Sequence, residues 1–151
     1  MSRDEHGPYR CYKDVGHRCL RYISDEKFLG ATSSKSDRRI FLYLEPWRVP
    51  TDKQKVVWFS FSLISLNKYS ECKDDYIVRT RDIDLNLPLI TVCLRQSVHS
   101  QTVRYDDMNI RTEHNNNEQA GSIYLPSELA DEPPAEAISI TIHWKIPGDN
   151  S

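Results

Sequence analysis

Glycine is scarce in this 151-residue chain, which contains only five, and no glycine-rich phosphate-binding loop is present. The chain also lacks the GxSxG motif of serine hydrolases, the HExxH motif of zinc peptidases and any CxxC pair. No apolar run approaches the roughly 18 residues that a membrane-spanning helix needs. Because the usual signatures of an enzyme or a transmembrane protein are missing, we expect no catalytic residue, no cofactor and no transmembrane segment.

The N-terminal sequence also lacks a secretion signal. Residues 1–6 are charged and precede no apolar segment. We therefore expect an intracellular protein, located in the cytoplasm, the nucleus or a virion, and not a secreted one. Its four cysteines are then expected to be reduced thiols rather than a disulfide framework.

The composition is that of a folded domain. Hydrophobic residues make up 38% of the chain and charged residues 28%, and 151 residues suit one domain with its own core. Residues 1–19 carry several charges and a Gly-Pro pair without clear periodicity, so we expect a mobile or irregular N-terminal arm there. Residues 20–151 are expected to form a single β-rich domain.

Strict alternation of apolar and polar residues indicates strands most clearly in two segments. Val57, Phe59 and Phe61 share one face of the first segment, and the isoleucines at 138, 140 and 142 share one face of the last. The predicted strands cover residues 40–44, 56–66, 76–81, 88–95, 101–105, 121–125 and 138–146. The predicted core comprises Ile40, Leu42, Val57, Phe59, Phe61, Leu63, Val92, Leu94, Ile138, Ile140, Ile142 and Trp144.

Many short strands separated by polar turns predict a mainly β fold, a single antiparallel β-sandwich or a barrel-like domain. The alternative is an α+β domain with one short helix. Residues 20–30 fit either a short helix or a hairpin.

Charge is distributed unevenly along the chain, although the net charge is only −2. Residues 1–55 hold 12 Lys and Arg against 8 Asp and Glu, whereas residues 56–151 hold 8 against 14. Basic residues interleaved with tyrosines can grip phosphates or lipid headgroups, and ordinary solvated charges are the alternative interpretation. The candidates for nucleic-acid or membrane binding are Arg10, Lys13, Arg18, Arg21, Arg38 and Arg39.

Two sets of residues could in principle bind a metal ion. The first set, a weak zinc candidate because its spacing contains no tight ligand pair, consists of His6, Cys11, His17 and Cys19. The second consists of the acidic pairs at 74–75, 82/84 and 106–107, for which turns in contact with water are the expected structure. We therefore expect no metal.

Aromatic residues and strand edges provide candidates for protein contact. Trp47, directly after Pro46, and Tyr43 could anchor a partner, and the alternative is that Trp47 caps the core. An exposed strand edge would allow a second chain to add a strand, which is one route to self-association.

Three segments resemble the matrix proteins of rhabdoviruses. They are VVWFSFSL at 56–63, GSIYLP at 121–126 and ISITI at 138–142. The resemblance implies a self-associating protein that condenses a nucleocapsid and contacts a membrane, and the small plant-infecting type fits the chain length best. The chain departs from the family pattern in its N-terminal arm of mixed charge and in residues 133–136, which lack the tyrosine of a PPxY motif.

The leading prediction is thus a non-enzymatic structural or interaction protein that self-associates. Its expected partners are further copies of itself and an anionic partner, either nucleocapsid RNA or a membrane surface, contacted through the basic N-terminal third. The alternative is a small monomeric regulatory domain that binds a cellular or host protein through a strand edge or Trp47.

Overall fold

The computed structural model describes residues 5–15, 20–29, 37–44, 49, 54–75, 87–108 and 121–148. Its strands are β1 (Glu5–Lys13), β2 (Leu20–Ser24), β3 (Phe28–Leu29), β4 (Asp37–Arg38), β5 (Phe41–Leu44), β6 (Val56–Ile64), β7 (Leu89–Val98), β8 (Thr102–Asp106), β9 (Ser122–Pro126) and β10 (Ala137–His143). One α-helix, α1 (Leu66–Cys72), and two short 3-10 turns, Lys73–Asp75 and Ser127–Leu129, complete the described secondary structure.

Eight of the strands close into an antiparallel barrel in the order β1-β2-β5-β9-β8-β7-β10-β6, and β6 then pairs with β1. Strands β3 and β4 form a separate two-stranded sheet. The predicted mainly β, barrel-like fold is therefore confirmed. Because each barrel strand has a hydrogen-bonded neighbour on both sides, the barrel itself has no open edge.

The barrel interior is filled by side chains that alternate along each strand. In β6, Val57, Phe59 and Phe61 are buried, whereas Trp58 between them is half-buried. Strand β10 pairs with β6 so that Ile140 lies opposite Phe61. Eight strands enclose a space that side chains can fill completely, which explains why such small alternating segments form one core. Buried residues absent from the predicted core include Cys11, Tyr22, Val103, Tyr105, Ile123 and Leu125.

A second, smaller apolar cluster lies outside the barrel, under α1. Tyr69 of the helix packs with Val92 of β7 and Ala137 of β10. Val92 is next to Cys93 in sequence, and Cys93 is in the main core, so the two side chains point to opposite faces of the strand. Leu94, predicted as core, belongs to this outer cluster and is only half-buried.

The residue at which α1 begins follows from its N-terminal cap. Ser65 precedes the helix in extended conformation, and its hydroxyl accepts a hydrogen bond from the backbone N–H of Lys68 at 3.1 Å.

No helix among the described residues is long and apolar enough to cross a membrane.

Strand β1 is the main difference from the sequence-based prediction, which assigned an irregular arm to residues 1–19. Its pairing with β6 changes register between His6 and Tyr9. Gly7 lies at this irregularity with φ +102°, and a Cβ there would stand 2.5 Å from the carbonyl oxygen of Phe59. The bulge interrupts the two-residue period, and the alternation is therefore hard to recognise in the sequence.

The other predicted strands agree with the structure to within three residues at either end, except 76–81, which lies outside the described residues. Residues 20–30, left ambiguous by the sequence, contain β2 and β3 rather than a helix.

The alternation in β10 predicts a large difference between neighbouring substitutions. Ile140→Ala removes a side chain that is 3% exposed and should lower the free energy of unfolding by about 2–5 kcal/mol. Thr141→Ala, on the outer face of the same strand, should lower it by less than about 1 kcal/mol. Urea titration of both variants measures the difference, and equal losses would contradict the inward and outward assignment.

Candidate binding surface

Three aromatic rings form a row across the outside of the barrel. Each is the neighbour in sequence of a core residue, so its side chain points outward. Each is half-buried, so part of its surface stays accessible. We call Tyr12, Phe41 and Tyr124 the aromatic row. It belongs to a continuous set of cross-strand partners on β1, β2, β5, β9 and β8, namely Tyr12, Ile23, Phe41, Tyr124 and Arg104.

Arg21 lies against the middle of this row. Its guanidinium carbon is 5.2 Å from the centre of the Phe41 ring and 5.9 Å from that of Tyr43. The guanidinium forms an ion pair with Asp14, to which Nε also donates at 3.0 Å. Burial by itself lowers the pKa of Arg21, but the hydrogen bonds to Asp14 and Tyr43 outweigh it, and the pKa is raised. Arg21 is therefore a fixed cation, held by a carboxylate and two rings.

Arg104 has an equivalent position at the far end of the row. Its guanidinium carbon lies 5.8 Å from the centre of the Tyr124 ring. Nε and Nη2 donate to the two oxygens of Asp106 at 2.9 and 3.2 Å, and the Ser122 hydroxyl donates to the same carboxylate at 2.8 Å. Burial alone lowers the pKa of Arg104, but the hydrogen bond and negative charge of Asp106 raise it overall.

Two further arginines meet at the turn after β2. The Arg39 Nη1 atom donates to the carbonyl of Ser24 at 2.8 Å and to that of Asp25 at 3.3 Å. Arg10, on β1, forms an ion pair with the Asp25 carboxylate. Nη1 of Arg39 also lies 3.5 Å from the Tyr12 hydroxyl, which places both guanidinium groups at the near end of the aromatic row.

The structure separates Arg38 from the other basic candidates. Arg38 is 7% exposed; it donates to the carbonyl of Gln101 at 2.9 Å and lies 2.5 Å from a carboxylate oxygen of Glu128. These contacts connect β4 to the segments next to β8 and β9, so Arg38 stabilises the fold. Lys13 is half-buried at the end of β1, and its backbone N–H donates to the Lys55 carbonyl at 2.8 Å.

Two of the singled-out residues, Arg18 and Trp47, lie outside the described residues. Tyr43, the other candidate for protein contact, is 6% exposed, accepts a hydrogen bond from Arg21 at 3.3 Å and packs against Tyr124 with ring centres 5.6 Å apart. Its ring therefore supports the aromatic row more than it presents a surface of its own.

The zinc candidates do not form a site among the described residues. His6 stacks on Phe61 with ring centres 4.7 Å apart, and the fully buried Cys11 donates weakly to the Tyr9 carbonyl at 3.6 Å. His17 and Cys19 lie outside the described residues. Within the described part of the chain, no group of three or more His, Cys, Asp or Glu could hold a metal ion.

One of the acidic pairs differs from the prediction. Asp74 and Asp75 are exposed in a 3-10 turn, as expected, and positions 82 and 84 lie outside the described residues. Asp106 and Asp107, however, are 4% and 2% exposed, so the expectation of a solvated turn is wrong there. Asp106 holds Arg104 and Ser122, and Asp107 lies 3.4 Å from the Thr91 hydroxyl. Hydrogen bonding to these partners compensates for burial of the carboxylates.

Sequence reasoning missed Phe41, Tyr124 and Arg104 as surface residues. Each lies on a predicted strand, and period-two alternation with the core positions Leu42, Leu125 and Val103 assigns each to the outer face. Their proximity depends on strand order and register, which the alternation does not contain.

Comparison of the chain with protein-family models, with curated proteins and with solved structures found no match. The geometry of the outer face is therefore the basis for a functional proposal.

Buried ionisable groups predict a loss of stability at alkaline pH. Burial raises the pKa of the Cys11 thiol to about 12 and those of the Tyr22 and Tyr105 hydroxyls to about 12, so the fold keeps all three neutral. In the unfolded chain they ionise from about pH 9 upward. Their stabilisation is complete below pH 9 and is lost as pH rises towards 12, by up to about 1.4 kcal/mol per pH unit for each group.

Urea titrations at pH 8, 9, 10 and 11 measure this decline. Tyr22→Phe should show a shallower decline than the unsubstituted protein, whereas Ser62→Ala, which removes no ionisable group, should not change the slope. A free energy of unfolding that stays constant from pH 9 to 11 would contradict the burial of these groups.

Proposed function

We propose that this chain is a non-enzymatic binding module that contacts an anionic partner through the outer face of β1, β2 and β5. The observation that carries the proposal is the meeting of Arg10 and Arg39 at Ser24–Asp25, beside Tyr12. These residues are distant in the sequence, and barrel pairing brings them to one end of one face.

The arginines differ in how readily they can contact a partner. Arg10 and Asp25 have side chains that are 51% and 44% exposed, and such exposed ion pairs contribute only about 0–1 kcal/mol. A phosphate can therefore replace Asp25 at little energetic cost. Arg39 donates to backbone carbonyls and lies near a hydroxyl, so its charge has no carboxylate partner among its described contacts. Arg10 and Arg39 are thus the residues proposed to contact the anion.

Arg21 and Arg104 have a different role in the proposal. The side chains of Arg21 and Asp14 are only 21% and 23% exposed, and Asp106 beside Arg104 is buried. An anion would have to displace a well-held carboxylate at either position. These two arginines are proposed to orient the rings and to keep their carboxylate partners.

The charge proposal predicts a change in salt dependence. The double variant Arg10→Gln/Arg39→Gln should bind a labelled single-stranded RNA more weakly, with a slope of log affinity against log salt reduced by roughly 1.4, about 0.7 per lost phosphate contact. Fluorescence anisotropy between 50 and 300 mM KCl measures the slope. Vesicles containing phosphatidylserine, titrated in the same way, test the membrane alternative.

A matched control is available on the other side of the barrel. Arg95 also donates to a backbone carbonyl, that of Pro134 at 2.7 Å, and Lys68 is exposed on α1. Arg95→Gln/Lys68→Gln removes the same charge and should leave the slope unchanged. Absence of polyanion binding at 50 mM KCl, or equal slopes for the two double variants, would exclude the proposed surface.

We propose separately that the chain self-associates, as the sequence predicts. The closed barrel offers no strand edge to a second copy, so among the described strands only those of the β3–β4 sheet could take part in strand addition. Light scattering over a range of protein and salt concentrations tests this part. Growth beyond 17.6 kDa with concentration is expected, and a strict monomer under every condition would contradict it.

A further inference from the structure

The aromatic row has an arrangement that ordinary strand packing does not require. Side chains on the outer face of a barrel strand contact water, and polar residues serve there at Ser62, Ser139 and Thr141 on β6 and β10, where the half-buried Trp58 is the aromatic exception. On the β7 side, the outward apolar residue Val92 is covered by Tyr69 of α1. The rings of the row, in contrast, are half-buried and retain accessible surface.

The guanidinium groups against the row give it the character of a stacking platform. Arg21 lies over Phe41 and Arg104 lies beside Tyr124, each held in place by a carboxylate. Planar guanidinium groups and aromatic rings are the two surfaces on which proteins stack unpaired bases. Stacking on a π face tolerates every base, so the platform predicts little sequence preference.

The charge available to a phosphate backbone lies at one end of the row. Arg10 and Arg39 lie at the Tyr12 end, whereas Arg104 at the Tyr124 end is paired with Asp106. Neighbouring strands are about 4.8 Å apart, so the four steps from β1 to β8 cover about 19 Å around the barrel. This length suits on the order of four nucleotides crossing the strands, at the lower end of the range for single-strand binding folds.

We infer that a single-stranded nucleic acid crosses β1, β2, β5, β9 and β8 with its bases stacked on Tyr12, Phe41 and Tyr124. The inference deepens the proposed function and depends on it, because it names the anionic partner of the same face. A duplex hides its base faces and would gain only the phosphate contacts, so single strands should bind more tightly than duplexes of equal charge.

Substitutions that separate stacking from packing provide the test. The triple variant Tyr12→Leu/Phe41→Leu/Tyr124→Leu keeps apolar side chains but removes the π faces. Tyr12→Phe/Tyr124→Phe keeps the π faces and removes two hydroxyls. With a labelled uridine oligonucleotide, the leucine variant should bind at least about 100-fold more weakly, since each of the three rings contributes roughly fivefold or more. The phenylalanine variant should bind within about twofold of the unsubstituted protein.

The outcomes distinguish the inference from the proposed function. If the leucine variant binds the oligonucleotide normally, or if a duplex of equal charge binds as tightly, the inference fails while salt-dependent polyanion binding still supports the proposed function. Binding to phosphatidylserine vesicles alone would also overturn the inference. Without any polyanion binding, both fail.

A second measurement tests the inference on the unsubstituted protein, in case the leucine variant does not fold. Oligonucleotides containing 4-thiouridine, irradiated in complex with the unsubstituted protein, should crosslink to peptides carrying Tyr12, Phe41 or Tyr124. Ile90 is 43% exposed on the outer face of β7 and serves as an internal control. Crosslinks mainly around Ile90, and none on the aromatic row, would overturn the inference.

Discussion

Strand β6 closes the barrel, and the remaining structure depends on this closure. It pairs on one side with β1, the first described strand, and on the other with β10, the last. Its inward residues Val57, Phe59 and Phe61 lie in the main core, on the strand between β1 and β10. Strand β6 pairs with β10 without a register shift, and these are the two segments where the sequence pattern is clearest.

Closure also determines where a partner can bind. Side chains fill the inner face, and the eight barrel strands have no free edge, so strand addition to the barrel is unavailable. Binding must then use the outer face or the loops. On the described outer face, α1 covers Val92 of β7, whereas Ile90 of the same strand stays 43% exposed and the side formed by β1, β2, β5, β9 and β8 carries the aromatic row. The proposed surface is therefore one accessible part of the described outer face.

The sequence predicted the barrel-like class and most strands because burial imposes a period of two on each strand separately. It did not predict β1, since the irregularity at Gly7 breaks that period. It did not predict the aromatic row either, because Tyr12 and Tyr124 become near neighbours only through the pairing of five strands. Alternation assigns each ring to a face, but register decides which rings meet.

The count of basic residues in the N-terminal third is a poor measure of the charge available to a partner. Arg38 is buried against Glu128, and Arg21 is held by Asp14, so neither is easily transferred to an anion. Arg104, on the acidic part of the sequence, joins the same face through β8. Since an anion at Arg21 or Arg104 would have to displace a held carboxylate, the proposed binding depends on Arg10, Arg39 and ring stacking. A surface of this kind would bind most tightly where phosphates and exposed base faces occur together, and that combination distinguishes a single strand from a duplex or a lipid headgroup.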